Sequence, residues 1–292
     1  MKESLKKNII IVVNPISGNI DKSEIIEAAL FFAAKENLEA LLYETTGNND
    51  IQKIKQLYLL HKPERIIIVG GDGTIKMVAE AMKKEDVIIG IIPAGSSNGL
   101  AVDLDLVTTL QENLIIAFLH DFLEIDVITI NDKISIHLSD IGLNAELIKN
   151  YEKSAIHGKL GYALQTVTTL IEMAEPFQAT IVANNQSMKC TARMIVIANS
   201  KKYGTGVVIN PNGEMNDGKF ELVIIKNLDL LIFGQILLGN IPLNSDDVEI
   251  LSFNKAMITT NIPVSFQMDG EYCGTETELK IKIGHKQLKV AI

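Results

Sequence analysis

Three short runs built almost wholly from isoleucine and valine constrain this chain more than any other feature: residues 8–13 (NIIIVV), 65–69 (RIIIV) and 87–92 (VIIGII). β-Branched side chains lose rotamer freedom in a helix and pack well on a pleated surface, so these runs read as strands. Polar residues do not alternate within them, which means that both faces of each strand are covered. Helical spacing follows each run. Asp21 with Glu24 resembles a capping box ahead of Ile25, Ile26, Ala29, Leu30 and Ala33. Residues 38–43 read as a further strand, and Ile51, Ile54, Leu57 and Tyr58 stripe a helix that starts after Asp50 and closes at Pro63. Ile75, Val78, Ala79 and Met82 mark another helix. Strand–helix units in series predict a parallel, doubly wound sheet with its ligand site at the C-terminal ends of the strands.

After about residue 124 the texture changes. Residues 125–130, 133–138, 178–183, 194–198, 220–225, 264–268 and 279–283 are short, partly alternating runs. The turn pairs Asn131-Asp132, Asn184-Asn185, Asn212-Gly213 and Asp217-Gly218 punctuate them. That pattern reads as an antiparallel sheet or sandwich, interrupted by helical segments at 162–173 and 228–238. The expected organisation is an α/β nucleotide-binding domain over residues 1–124 and a β-sandwich-like domain over 125–292. No low-complexity linker separates them, so the junction should be a close hinge.

Composition narrows the classes of function. A chain of 292 residues has room for two modest cores, and 47% hydrophobic with 22% charged residues excludes disorder over most of it. Subtracting 36 Asp+Glu from 27 Lys+Arg leaves a net charge of −9, which excludes a general nucleic-acid binder. Cys190 and Cys273 lie far apart and suit the reduced thiols of a cytosolic protein. The apolar run at 9–13, closed by Asn14-Pro15, is too short for a signal peptide. No run approaches the roughly 18–20 residues that cross a bilayer. The expected location is cytoplasmic, with membrane contact at most peripheral.

Gly70-Gly71-Asp72-Gly73-Thr74 is the strongest local motif, because it stands where a strand ends and a helix begins. Its glycines allow backbone N–H groups to approach a phosphate. Asp72 would repel a polyphosphate unless Mg²⁺ or a reacting hydroxyl stood between them, which makes it a candidate metal partner or base. The alternative is a surface turn. There is no Walker A sequence. Asn14-Pro15-Ile16-Ser17-Gly18 and Pro93-Ala94-Gly95-Ser96-Ser97-Asn98 follow two other strands. One such loop alone is an ordinary βα turn, whereas three on one sheet edge favour a nucleotide site. The five histidines, His61, His120, His137, His157 and His285, are scattered without ligand spacing.

Asn14-Pro-x-Ser-Gly18, Gly70-Gly-Asp-Gly-Thr74 and Pro93-Ala-Gly-Ser-x-Asn98, in that order, resemble the diacylglycerol kinase catalytic-domain family, which includes sphingosine, ceramide and bacterial lipid kinases. Gly142-Leu-Asn-Ala145, Tyr203-Gly-x-Gly206, Pro211, Asn216-Asp-Gly-Lys-Phe220 and Asp269-Gly-Glu271 extend the resemblance over nearly the whole chain. It implies an ATP-binding α/β domain, a β-sandwich domain and an active site in the cleft between them. It also implies that Gly70, Gly71, Asp72, Gly73 and Thr74 serve ATP and Mg²⁺, helped by Asn14, Ser17, Thr46, Gly95, Ser96 and Asn98. Glu271 or Asp72 would be the general base on the lipid hydroxyl, since different branches of the family assign that task differently. Asp217 matches an aspartate that helps hold a structural Mg²⁺ in some bacterial relatives, and an Asp-Gly turn explains it equally well.

The expected partner is a lipid, diacylglycerol or a sphingoid base, met at a membrane surface; a homodimer is admitted but not fixed. Many bacterial relatives carry an acid where this chain has Gly99, so a catalytically silent nucleotide- or lipid-binding module is the competing expectation. The sphingosine-kinase version of the loop also lacks that acid. An NAD kinase-like enzyme is a third expectation, because it shares the Gly-Gly-Asp-Gly loop. Glu146 leans weakly toward an amino-alcohol lipid, although acids are ordinary in a first helical turn.

Overall fold

The isoleucine- and valine-rich runs form the centre of a parallel sheet. In the computed structural model, which describes residues 7–96, 98–146, 148, 175–203, 206–227 and 246–292, they become β1 (Asn8–Val13), β3 (Arg65–Gly70) and β4 (Ile88–Pro93). Between them run α1 (Ser23–Lys35), β2 (Glu39–Glu44), α2 (Asp50–His61) and α3 (Asp72–Met82), and α4 (Gly99–Asp103) and α5 (Leu110–Leu119) follow. The strands lie in the order β4-β3-β1-β2, all parallel, so every loop after a strand emerges at one edge. One face of this sheet packs Ile9, Ile11, Val13, Ile67, Val69 and Ile92 against Ala29 and Ala33 of α1 and Leu114, Ala117 and Phe118 of α5. Each fully buried branched side chain there stabilises the fold by about 1.5–3 kcal/mol.

Helix ends follow the side chains available to cap them. Thr109 and Glu112 form a reciprocal capping box on α5. The expected box at Asp21 and Glu24 does not form, because α1 begins at Ser23 and Asp21 instead accepts from the Ser23 N–H at 2.9 Å and hydroxyl at 2.7 Å. Arg65, 8% exposed, donates to the carbonyls of Ala117 at 3.2 Å and His120 at 2.6 Å. It thereby pairs β3 with carbonyls that the end of α5 leaves open.

The second unit is antiparallel. β5 (Phe122–Ile130), β6 (Lys133–Ser135), β7 (Leu138–Gly142), β8 (Phe177–Ala183), β9 (Gln186–Ala192), β10 (Met194–Ala198), β11 (Phe220–Ile225), β12 (Val248–Phe253), β13 (Lys255–Met268) and β14 (Glu271–Ala291) succeed one another. β12-β11-β10-β7-β13-β14 is the main order, and the β8–β9 hairpin adds to β13. One face carries Ile141, Phe177, Ile197, Phe220, Phe266 and Leu279, and the other Leu138, Val196, Val223 and Ile225. Asn131-Asp132 and Asn184-Asn185 are two-residue turns, with φ of 45°, 68°, 51° and 60°. Left-handed pairs of this kind match the twist of a hairpin.

The chain therefore folds as a mixed α/β domain followed by a β-sandwich-like domain. It divides into one unit of Met1–Asp126 with Lys286–Ile292 and another of Val127–His285. The last seven residues, expected within the second domain, pack with the first unit. Lys289 and Val290 pair in parallel with Ile88 and Ile89, and Leu288, Val290 and Ala291 are buried. They cover an edge of β4 that would otherwise stand open. The helical segments expected at 162–173 and 228–238 lie outside the described residues. Among the described residues no helix is long and apolar enough to cross a membrane.

Candidate active site

The loops that follow β1, β3 and β4 are knitted together by their own main chain. Ala94 N–H donates to the Gly70 carbonyl at 2.8 Å, and Asn14 N–H donates to Val69 at 3.2 Å. The Ser17 hydroxyl reaches the Ala94 carbonyl at 3.1 Å. Two glycines touch where these loops meet: a Cβ on Gly95 would stand 2.4 Å from the Gly71 Cα, and one on Gly71 would stand 2.8 Å from the Gly95 Cα. No side chain fits at either position. Gly18, at φ 69°, faces the Ala94 carbonyl in the same way, with 2.9 Å left for a Cβ.

Asn98 and Asp72 set the shape of the third loop. Asn98 adopts the left-handed conformation at φ 53°, accepts from Gly95 N–H at 2.8 Å and donates to the Gly95 carbonyl at 3.1 Å. The Asp72 carboxylate accepts from Gly99 N–H at 2.7 Å and Leu100 N–H at 3.1 Å, one to each oxygen. It therefore holds the start of α4, a role that the sequence did not disclose. Thr74 is 1% exposed, and its hydroxyl has no hydrogen-bond partner among the described residues. Gly73, in the first turn of α3, and Ser96, on the loop after β4, are exposed.

Thr46 stands on the neighbouring loop after β2, joined to β1 by Thr45 N–H to the Val13 carbonyl at 2.8 Å. Asp50, which sequence reasoning used only as a helix start, organises this loop. Its carboxylate, 4% exposed, accepts from Tyr43 hydroxyl at 2.5 Å, Thr46 N–H at 3.0 Å, Thr46 hydroxyl at 3.1 Å and Gly47 N–H at 2.7 Å. Burial alone would raise its pKa, but these donors outweigh burial and hold it below the usual carboxylate range. Burial and the adjacent carboxylate together push the Tyr43 phenol up to about 12.

The remaining candidates lie in the second unit. Glu271 opens β14 after the turn Asp269-Gly270, whose φ values are 51° and 87°. Its carboxylate is exposed and has no partner among the described residues. Asp269 is structural, accepting from Ser135 hydroxyl at 2.9 Å and His137 N–H at 3.0 Å. Asp217 accepts from Lys219 N–H at 2.9 Å in a turn whose Gly218 has φ 79°. Asp140, missed by sequence reasoning, is fully buried. One of its oxygens accepts from Asn144 at 2.6 Å, Gln267 at 2.5 Å and Tyr203 at 3.1 Å. The other has no partner among the described residues. Burial pushes this carboxyl up to about 6, against the pull of Asn144, Gln267, Tyr203 and the Ala145 main chain. Glu146 accepts from the Ser265 hydroxyl.

Known proteins resemble this chain in sequence and in fold. The sequence model of the diacylglycerol kinase catalytic domain matches residues 8–130, and that of the YegS C-terminal NAD kinase beta sandwich-like domain matches residues 140–291. The chain belongs to the diacylglycerol kinase catalytic-domain family. Its relatives include a Salmonella arizonae protein named "Probable lipid kinase YegS", 24% identical over 278 residues and 92% of each chain. A Staphylococcus carnosus protein named as a lipid kinase is 25% identical over 236 residues, 76% of this chain and 75% of its own. A Bacillus anthracis structure described as a diacylglycerol kinase shares the fold at a TM-score of 0.77 and 17% identity, covering 99% of this chain and 98% of its own. A second Bacillus anthracis structure reaches 0.81 at 21% identity with the same coverage.

The residues present fit the nucleotide that this lipid kinase family implies. Gly71 and Gly95 bring the loops after β3 and β4 into backbone contact that no Cβ could enter, and the buried Thr74 hydroxyl lacks a partner among the described residues. Among the described residues no group of three or more His, Cys, Asp or Glu side chains is placed to hold a metal ion.

Proposed function

We propose that this lipid kinase family member transfers the γ-phosphate of ATP to a hydroxyl of a lipid such as diacylglycerol or a sphingoid base. The observation that carries the reading is the side-chain-free contact of Gly71 with Gly95, edged by the buried Thr74 hydroxyl. A surface turn has no need of two glycines in mutual contact. When bound, ATP would supply the phosphoryl group and Mg²⁺ would neutralise charge on it, with Asp72 as the protein's candidate partner for the cation.

The chain's own residues bind and orient. Asn14, Ser17, Thr46, Gly70, Gly71, Gly73, Thr74, Gly95, Ser96 and Asn98 hold the nucleotide through main-chain N–H groups and small polar side chains. Asp72 holds the Asn98–Leu100 turn with both carboxylate oxygens and remains the protein's candidate partner for the cation. We assign the base to Glu271, whose exposed carboxylate is unengaged among the described residues and can take the proton of the lipid hydroxyl. Asp217 has the geometry of a turn former, and a structural Mg²⁺ beside it is a separate proposal. Protein of this kind works from the cytoplasm by peripheral contact with the membrane that holds its substrate.

The test is transfer of labelled γ-phosphate to diacylglycerol, sphingosine, ceramide, monoacylglycerol and phosphatidylglycerol in mixed micelles with Mg²⁺, beside NAD. A labelled lipid supports the reading. Label in NAD alone replaces it with a nucleotide kinase, and ATP binding without any labelled product replaces it with a silent module.

A further inference from the structure

Lys22 breaks two local rules at once. It occupies the N-cap of α1, a position that favours Ser, Thr, Asp or Asn, and its side chain caps nothing. It also puts a cation at the positive end of a 13-residue helix, where the aligned peptide dipoles disfavour it. Lysine is rarely buried without a partner, yet Lys22 is 3% exposed, under a thin cover rather than in a core. Its ammonium donates to the Ser17 carbonyl, and among the described residues no carboxylate pairs with it. Burial holds the ammonium below the ordinary lysine value, with no neighbouring charge to offset it.

A structure tolerates such a violation where a ligand repays it. The surroundings say which ligand. Ser17, whose carbonyl takes the Lys22 ammonium, gives its hydroxyl to Ala94, the neighbour of Gly95 at the glycine contact. The cation thus sits beside the junction of loops on which the buried Thr74 hydroxyl also lacks a partner among the described residues. An unpaired cation and an unpartnered hydroxyl on neighbouring loops suit an anion.

We infer that Lys22 is a phosphate-binding residue of this site, and that its uncompensated ammonium makes the site selective for polyphosphate groups. The inference rests on the nucleotide reading above and adds to it a residue that the motifs did not include. In the unliganded protein Lys22 costs stability, and it recovers that cost when an anion binds.

The signature to look for is opposite signs in stability and affinity. Lys22→Met keeps the length of the side chain and removes its charge. Thermal unfolding of the unliganded full chain and calorimetric titration with ATP and with inorganic tripolyphosphate are the measurements. Lys22→Met should unfold no earlier than the unaltered protein, while binding ATP and tripolyphosphate at least about tenfold more weakly. If Lys22→Met does not fold, Lys22→Gln keeps a donor for the Ser17 carbonyl without the charge and should show the same loss. Unchanged affinity in the folded variant would overturn the inference, as would a lowered melting temperature with affinity intact, which marks an ordinary structural lysine. An unaltered protein that binds tripolyphosphate through Lys22 but not ATP would overturn the nucleotide reading and leave this inference standing. Binding of neither would overturn both.

Discussion

The two units place their polar groups in opposite ways. In the first, the groups are main-chain donors and small side chains on consecutive loops, held by contacts between glycines and by Asp72 across the turn at Gly99. In the second, a buried carboxylate at Asp140 gathers Asn144, Tyr203 and Gln267 from separate parts of the sequence. A main-chain site tolerates no added atoms, because the backbone cannot step aside. A side-chain network tolerates shape changes better but depends on ionisation. Each of the following substitutions should therefore fail in the manner of its own unit.

The largest effect expected is on chemistry. Glu271→Gln removes the proposed base with little change in shape, and turnover should fall by about 10²–10⁴-fold while ATP binding is unchanged. Phosphoryl transfer and calorimetry on the same preparation check this. Retained turnover would move the base to the first unit and make Asp72 its bearer, despite the two N–H groups that Asp72 already accepts.

Asp140 should govern how stability depends on pH. Its folded pKa, about 6, lies above the ordinary value of 3.8, so the folded chain holds this proton more tightly than the unfolded chain. The contribution is fully present below the unfolded value and is lost as pH rises through about 6. For a fully buried group the difference corresponds to about 3 kcal/mol. Asp140→Asn cannot ionise and should flatten that slope. Urea unfolding at pH 5 and pH 7.5 decides: an equal slope in the variant would show that another group titrates there.

A backbone contact should respond differently. Gly95→Ala drives a methyl group into the Gly71 Cα, and the loops must part. The expected cost is about 1–3 kcal/mol in stability, with a loss of ATP affinity of at least about tenfold and no change in pH slope. A variant with normal affinity would show that the glycine contact does not shape the nucleotide site.

How much of this could be read from the sequence differs between the units for the same reason. The parallel strands were legible because burial on both faces forces a solid apolar run, as in Ile66, Ile67 and Ile68. The loops were legible because glycine and asparagine are demanded by the close approach at Gly71 and Gly95 and by the left-handed φ at Asn98. β9 was missed, since QSMKCTA carries no apolar run and its burial is mostly partial or absent. The first half of β13 was missed likewise, because Thr259, Asn261 and Ile262 face solvent there. Asp140 left no signal at all. An aspartate inside LSDIG acquires meaning only when Gln267, far along the chain, arrives beside it. Lys22 was overlooked for the converse reason, because a lysine beside a helix start looks solvated until its burial is known.

The smallest effect is the sharpest test of the contrast, because it compares one residue type in one backbone conformation. Asn98 and Asn184 both lie in the left-handed region, at φ 53° and 51°. At Asn184 the conformation is the whole requirement, since a hairpin turn between β8 and β9 asks only for positive φ. Asn184→Gly should therefore change stability by no more than about 0.5 kcal/mol, glycine adopting that region without steric cost. At Asn98 the side chain also holds both the N–H and the carbonyl of Gly95. Asn98→Gly keeps the φ but releases Gly95, at a cost of about 1–2 kcal/mol, and part of that loss should appear as weaker ATP binding. Chemical denaturation and ATP titration of the two variants side by side make the measurement. Equal, small effects at both positions would mean that the loop after β4 is held by its backbone conformation alone, and that Asn98 is there for its φ and not for its amide.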